Sequence, residues 1–257
     1  MTDPRSLIYP LPTAAHQFLP DPFGQRLAAC VGDQVGVFAL TPPQEVIWIQ
    51  PQDQGLHYEL VAFVGDRLLL YGYKSGASLP IPDGLIAYDI PTQEKAWRLP
   101  SAQLQALHAD SIQVALAIEG RTLIQHIRLS DGEPHNAPPQ TLHHARTLEL
   151  PTLYQPKDQY FADFEGFFAA YQKTICWGVE YMEWPGHLGV SFYIAEGKTA
   201  THHFWCINDQ KSVILSCVLR HNCPGLGQGS FGRVGEVLIL PYQPYPDQHA
   251  LHISQTS

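Results

Sequence analysis

The stretch from Gly65 to Pro100 gives the clearest indication of the fold, and it reads GDRLLLYGYKSGASLPIPDGLIAYDIPTQEKAWRLP. It contains three runs rich in apolar and aromatic residues, at Arg67–Tyr73, Gly84–Asp89 and Lys95–Leu99. Short runs of this kind, bounded by Gly, Pro and Asp, are typical of consecutive antiparallel strands. The stretch therefore predicts a β-meander whose last strand carries Trp97.

The segment before this stretch repeats its pattern. The last strand of the earlier copy again carries a tryptophan, Trp48. Trp48 and Trp97 are roughly 50 residues apart, close to the period of ~40–50 residues in β-propeller blades. A tryptophan that recurs at one structural position indicates packing between blades. Including a divergent third copy and short leading strands, we predict strands at 15–19, 26–30, 34–40, 46–49, 57–64, 103–108, 111–118 and 121–129.

These copies resemble quinoprotein-like β-propeller repeats of the WD40 and PQQ type, with a Gly-Asp turn and a tryptophan-bearing strand. The resemblance implies an all-β propeller of about five four-stranded blades, or six if residues 141–150 nucleate another. We expect a single domain over residues 1–257, with the ring closed when strand 6–9 joins C-terminal strands near 231–234, 236–241 and 249–253. Ring closure protects sheet edges.

The repeat pattern stops after residue 135. Phe and Tyr at spacings of three and four predict one short helix over residues 160–172. Strand hairpins resume at 179–194 and 202–219. Three segments of the last third, EYMEWPGHLGVSFYIAEG, HHFWCIND and CPGLGQGSFGRVGEVLILP, also resemble a bacterial family that carries no assigned activity.

The composition argues against nucleic-acid partners, membrane contact and a disulfide framework. The net charge is −9, with only 15 Lys and Arg residues and no basic run, which argues against nucleic acid as a partner. No apolar stretch approaches the ~18 residues of a membrane span, and the N-terminal segment lacks the apolar core of a signal peptide. We therefore expect a cytoplasmic protein with no membrane contact. Five irregularly spaced cysteines indicate buried thiols rather than a disulfide framework.

Two motifs point to chemistry that their context does not support. Residues 227–234 match the glycine-rich loop of protein kinases, but only 23 residues follow and none is the lysine that a kinase needs. We expect a tight turn before a strand instead. Cys217, His221 and Cys223 are zinc-type ligands at irregular spacing, so we regard a metal site there as improbable. We expect no cofactor, because the residues that would hold a quinone are not found.

Two hypotheses for function remain open. The favoured one is a non-enzymatic propeller that binds a protein or a small ligand through its loop faces or channel mouth. The alternative is a small propeller enzyme, a hydrolase or lyase, with His16, His57 and His108 converging at the central channel, because all three lie in or near predicted innermost strands. Glu180 and Glu183 could line a cleft, but we expect them on the solvent side of an edge strand. The fold alone does not choose between these hypotheses, since propellers host both.

Overall fold

A computed structural model describes residues 6–51, 56–74, 81–118, 121–136 and 147–255 of the chain. These residues form twenty strands and one helix, so the chain is all-β, as the sequence predicts. They divide into two compact units: the N-terminal unit comprises residues 15–147, and the C-terminal unit comprises residues 1–14 and 148–257. The single helix found among the described residues is too short to cross a membrane.

In chain order the elements are β1 (Ser6–Leu11), β2 (Ala15–Pro20), β3 (Arg26–Val31), β4 (Gln34–Ala39), β5 (Val46–Ile49), β6 (Leu56–Val64), β7 (Arg67–Lys74), β8 (Ile81–Asp89), β9 (Lys95–Pro100), β10 (Ala102–Leu107), β11 (Ser111–Ile118), β12 (Arg121–Arg128), β13 (Thr152–Tyr154), α1 (Phe161–Ala170), β14 (Ile175–Trp184), β15 (His187–Glu196), β16 (Thr199–Asn208), β17 (Val213–Cys223), β18 (Gly232–Val234), β19 (Val237–Tyr245) and β20 (Gln248–Gln255).

The N-terminal unit consists of three antiparallel meanders in chain order. The first sheet has the strand order β2-β3-β4-β5, the second β6-β7-β8-β9 and the third β10-β11-β12. The stretch Gly65–Pro100 forms β7, β8 and β9, so its three predicted strands are confirmed. Among the described residues the third sheet has only three strands, whereas the two before it have four.

Apolar side chains of neighbouring sheets pack together in this unit. One buried cluster joins Val37 of the first sheet to Leu68 of the second. Another joins Leu85 and Trp97 of the second sheet to Val114 of the third. The indole Nε1–H of Trp97 also donates to the Leu129 carbonyl at 2.8 Å. Packing between sheets, predicted for Trp97, is therefore confirmed.

A recurring arginine also links each of the first two sheets to the next. Arg26, at the start of β3, donates to Asp66 in the turn of the second sheet at 3.0 Å. Arg67, at the start of β7, donates to the carbonyls of Leu129 and Ser130 beside the third sheet, at 3.4 and 3.3 Å. The sequence repeat thus places equivalent polar links, as well as equivalent strands, between successive sheets.

The C-terminal unit contains a five-stranded sheet, β13-β14-β15-β16-β17, and a four-stranded sheet, β1-β20-β19-β18. The predicted helix over 160–172 is α1, and it packs one face of the five-stranded sheet through Phe161 and Phe168. Strand β1 pairs with β20, so the first described strand lies in the sheet of the last one. Of the predicted extra blade at 141–150, residues 141–146 lie outside the described residues, and Glu149 bridges to Arg233.

Candidate functional site

The three histidines predicted for a central channel all belong to the N-terminal unit. His16 is exposed and lies opposite Cys30, and His57 lies in β6 opposite Tyr73, with its side chain outside the described part of the structure. His108 follows β10, and its ring stacks on that of His126 with centroids 5.5 Å apart. The structure thus pairs His108 with a histidine of its own sheet. Convergence of the three histidines stays a prediction.

The three zinc-type residues lie on β17, and the thiols of the two cysteines already have a protein partner or apolar neighbours. Cys217 packs beside an apolar cluster, and burial raises the pKa of its thiol to about 12. The thiol of Cys223 donates to the Arg220 carbonyl at 3.6 Å, and the backbone N–H of His221 donates to Gln243 at 2.8 Å. No group of three metal-ligating side chains is found in the described ranges.

A different set of side chains forms a buried polar centre in the C-terminal unit. We define this polar centre as Glu180 of β14, Ser191 of β15, His202 of β16 and Ser230 of the loop before β18. The first three are only 1%, 0% and 4% exposed. Tyr193 lies beside it, and its ring stacks on that of His202 at 4.0 Å between centroids and 11° between planes. Strand pairing brings the group together, because Glu180 lies opposite Ser191 and Tyr193 lies opposite His202.

Hydrogen bonds connect the side chains of the polar centre. The hydroxyls of Ser191 and Ser230 both donate to Oε2 of Glu180, the former at 3.1 Å. The hydroxyl oxygen of Ser191 also lies 2.9 Å from Nε2 of His202 and 3.0 Å from the Ser230 hydroxyl. A hydroxyl carries one proton, so when Ser191 donates to Glu180 it accepts from an Nε2–H of His202. Burial lowers the pKa of His202 from 6.5 to about 3, with smaller contributions from His203 and Arg220, so the imidazole is neutral near pH 7.

The loop before β18, residues 224–231, covers this centre. It contains the first part of the kinase-like motif, and we call it the glycine-rich loop. The N–H groups of Gly229 and Ser230 donate to the two carboxylate oxygens of Glu180, and Gly227 N–H donates to the Tyr193 hydroxyl at 2.8 Å. Gly229 has a φ of +69°, a conformation that favours glycine. Successive backbone N–H groups can form a concave site for an anion. Here the anion is a carboxylate of the protein itself.

The location predicted for Glu180 was therefore wrong, whereas Glu183 is exposed as expected. Strand β14 is an internal strand because the three-residue strand β13 pairs along it, and this short strand gives little signal in the sequence. The alternation of polar and apolar residues in β14 cannot show which face is covered. Ser191 and His202 were also missed as site residues, since only strand pairing brings them to Glu180.

The chemistry of the polar centre differs from that of a catalytic triad. In a triad the carboxylate orients the imidazole, and the imidazole takes the proton of an accessible serine. Here the carboxylate binds the two serines, and the serine in contact with His202 is fully buried. The arrangement holds the glycine-rich loop onto the sheet.

The second candidate is the outer edge of β12 in the N-terminal unit, on the side of the strand away from β11. Leu123 and Ile124 on this strand are 48% and 51% exposed. At its other end the strand is paired, because Arg128 N–H donates to Glu133 O and His135 N–H donates to His126 O, each at 2.8 Å.

Along an antiparallel strand, successive residues direct their backbone N–H and C=O groups alternately to one side of the strand and to the other. The backbone groups of Arg128 and His126 point outward, away from β11, so those of Ile124 and Thr122 point outward too. Within the described ranges, no hydrogen bond from a neighbouring segment reaches Thr122 or Ile124 at this edge. These groups offer a ladder to one more strand.

No protein-family model matches the chain, and no curated protein matches it. Similar solved structures include the tricorn protease (12% identity, TM-score 0.30), with 86% of this chain and 18% of that chain covered. They also include Hsv2 of Kluyveromyces lactis (9%, 0.28), with 89% and 70% covered. A third, described as TolB, is from Agrobacterium tumefaciens (10%, 0.23), with 97% and 98% covered. The chain spans less than a fifth of the tricorn protease chain, and similarity at these TM-scores assigns neither a fold nor an activity.

Proposed function

We propose that this chain is a non-enzymatic β-propeller of five blades that binds a protein partner through the outer edge of β12. Five antiparallel sheets follow one another along the described residues. The pairing of β1 with β20 is the contact by which such a ring would be closed. Recurrent arginine links between successive sheets support a repeated blade.

The observation that carries the binding proposal is the exposure of Leu123 and Ile124 on a strand with outward backbone groups. An exposed sheet edge is a template for another chain, and proteins usually shield it with charge, proline or covering segments. Strand addition uses such edges to bind extended peptides, with main-chain hydrogen bonds for affinity and side-chain contacts for specificity. The exposed apolar side chains at β12 therefore favour an edge that binds another chain over an edge that faces only solvent.

We assign a structural role to the polar centre. Its hydroxyls both donate to Glu180, and three N–H groups of the glycine-rich loop are bound to buried side chains. Buried polar networks that are satisfied in this way make a core rigid and specific. A rigid scaffold suits a binding protein, because less ordering is needed when the partner docks.

The test is selection of extended peptides from a phage-displayed library on the purified protein. We expect the enriched peptides to bind the wild-type protein and to lose binding to Ile124→Pro, which removes one outward N–H. Proline is tolerated on edge strands where the N–H faces solvent, so this variant should fold. Val213→Pro, on the five-stranded sheet, is the matched control. Enriched peptides that bind Ile124→Pro as well as the wild type would contradict the proposal.

The alternative is the small propeller enzyme, a hydrolase or lyase. One observation favours it: Ser230 is half-buried, and its hydroxyl donates to the Glu180 carboxylate, as a nucleophile donates to its base. A fluorophosphonate probe tests this, since it labels activated serines. Labelling that is lost in Ser230→Ala but kept in the exposed-serine variant Ser216→Ala would support the enzyme. In the channel version of this alternative, alanine variants of His16, His57 and His108 would each abolish turnover.

A further inference from the structure

We infer that the occupant of the β12 edge is an extended segment of another protein that carries two adjacent apolar residues followed, two positions later, by Asp or Glu. This inference rests on the proposed function and adds the chemistry of the partner. Three observations carry it: the direction of the strand already paired there, the exposed apolar side chains, and the charge of Arg121.

The direction comes from the segment that already pairs with β12. Pro134 bridges to Ile127 in an antiparallel sense, and the hydrogen bonds from Arg128 N–H to Glu133 O and from His135 N–H to His126 O flank that bridge. An added strand that continues this ladder therefore runs antiparallel to β12 and pairs with residues 125 to 121 in that order. It would form hydrogen bonds with the N–H and C=O groups of Ile124 and Thr122.

The order of side chains then follows from this direction. Ile124 and Leu123 are exposed on opposite faces of the strand, so two consecutive partner residues can each cover one of them. The next partner residue lies opposite Thr122, and the one after lies opposite Arg121. Apolar pairs directly across two strands stabilise the pairing.

Charge selects the residue opposite Arg121. Arg121 is exposed, and in the described part of the chain it has no carboxylate partner. The strands β10, β11 and β12 contain no Asp or Glu, although the protein as a whole carries 24 acidic residues and a net charge of −9. Arg128, the other arginine of β12, is already paired with Asp131 at 2.8 Å, so Arg121 is the charge that an added strand meets. A carboxylate opposite Arg121 gains an ion pair, whereas lysine there would be repelled.

The same charges argue against a second copy of this chain as the occupant. The segment of β12 beyond its pairing with residues 133–135 runs from Arg121 to Gln125 and contains no carboxylate that could lie opposite Arg121 of another copy. A short added strand buries less area than a stable interface, so we expect a transient complex with a Kd in the micromolar range.

The experiment measures fluorescence anisotropy of two labelled peptides that differ at one position. Their centres read Val-Ile-Thr-Glu and Val-Ile-Thr-Lys, and each is titrated with the full-length protein at low and high salt. We expect the glutamate peptide to bind about fivefold more tightly at low salt, the range of one exposed ion pair, and the preference to shrink at high salt. Arg121→Glu should reverse the preference, and Arg220→Glu, an exposed arginine of β17, should leave it unchanged.

Two further variants test whether the peptides bind by strand addition at β12, separately from the effect of their charge. Ile124→Pro and Thr122→Pro each remove one outward N–H and should abolish binding of both peptides, with folding checked by circular dichroism. If both peptides bind equally and both proline variants abolish binding, the partner chemistry is overturned and the proposed function stands. If binding survives both proline variants, the proposed function falls as well. Failure of the glutamate peptide to bind, or a dimer in sedimentation that Ile124→Pro abolishes, would also overturn the inference.

Discussion

Ser230 donates both its backbone N–H and its hydroxyl to the buried carboxylate of Glu180, 50 residues earlier in the chain. Gly229 donates to the other carboxylate oxygen, and Ser191 adds a fourth hydrogen bond. The loop that precedes the C-terminal sheet is thus anchored on a strand of the neighbouring sheet in the same unit. Hydrogen bonds to an ionised group are roughly twice as strong as neutral ones.

Glu180→Gln should therefore destabilise the protein by about 2–4 kcal/mol, because the neutral amide accepts fewer hydrogen bonds and presents an NH₂ group to donors. Urea unfolding followed by tryptophan fluorescence measures this difference. Glu183→Gln is the matched control, since Glu183 is exposed on the same strand, and it should change stability by less than ~0.5 kcal/mol. Equal effects of the two substitutions would show that the anchor adds nothing to stability.

The lowered pKa of His202 predicts how the stability of the protein depends on pH. Its pKa is about 3 in the folded protein and near 6.5 when the chain is unfolded, so the unfolded state binds an extra proton between these values. Stability contributed by the neutral imidazole is complete above pH 6.5 and falls with decreasing pH, by up to about 1.4 kcal/mol per pH unit, until about pH 3.

In His202→Gln this part of the slope should disappear between pH 6.5 and 4. Unfolding by urea at several pH values measures it, and His16→Gln, at an exposed position, should keep the wild-type slope. An unchanged slope in His202→Gln would mean that another group governs stability in acid.

Two glycines of the N-terminal unit differ in the space around them. Gly65 and Gly132 both have positive φ, at +57° and +78°. A Cβ at Gly65 meets nothing within 4 Å, whereas at Gly132 it would lie 2.8 Å from Cγ of Trp97. Gly65→Ala should cost about 1 kcal/mol from the backbone alone, and Gly132→Ala about 1–3 kcal/mol more from the clash. Equal losses in urea unfolding would contradict the packing of Trp97 against this turn.

Much of the fold can be predicted from the sequence because its signals are local. The strands of the first three sheets follow runs of apolar residues between turn residues, and Trp97 packs between sheets as expected. Trp48 instead contacts Phe38 of its own sheet, edge to face at 5.8 Å. A recurring tryptophan therefore predicts the strand correctly, but its partner depends on which sheet covers it.

The candidate sites were much less predictable, for a physical reason. Burial of Glu180 depends on β13 and on a loop 50 residues away, and neither is visible in the alternation of β14. The edge at β12 depends on pairing with residues 133–135, which come after the strand, and the sequence of β12 resembles that of any half-buried strand. Sites made by contacts between distant segments leave no local pattern.

The most direct test of binding at the β12 edge is amide hydrogen exchange of the full-length protein, measured with and without a peptide selected for binding. We expect exchange to slow in the segment that contains Thr122 and Ile124, whose N–H groups face outward, while exchange in β17 is unchanged. Slower exchange confined to β17, to the glycine-rich loop or to no segment at all would contradict binding at the β12 edge.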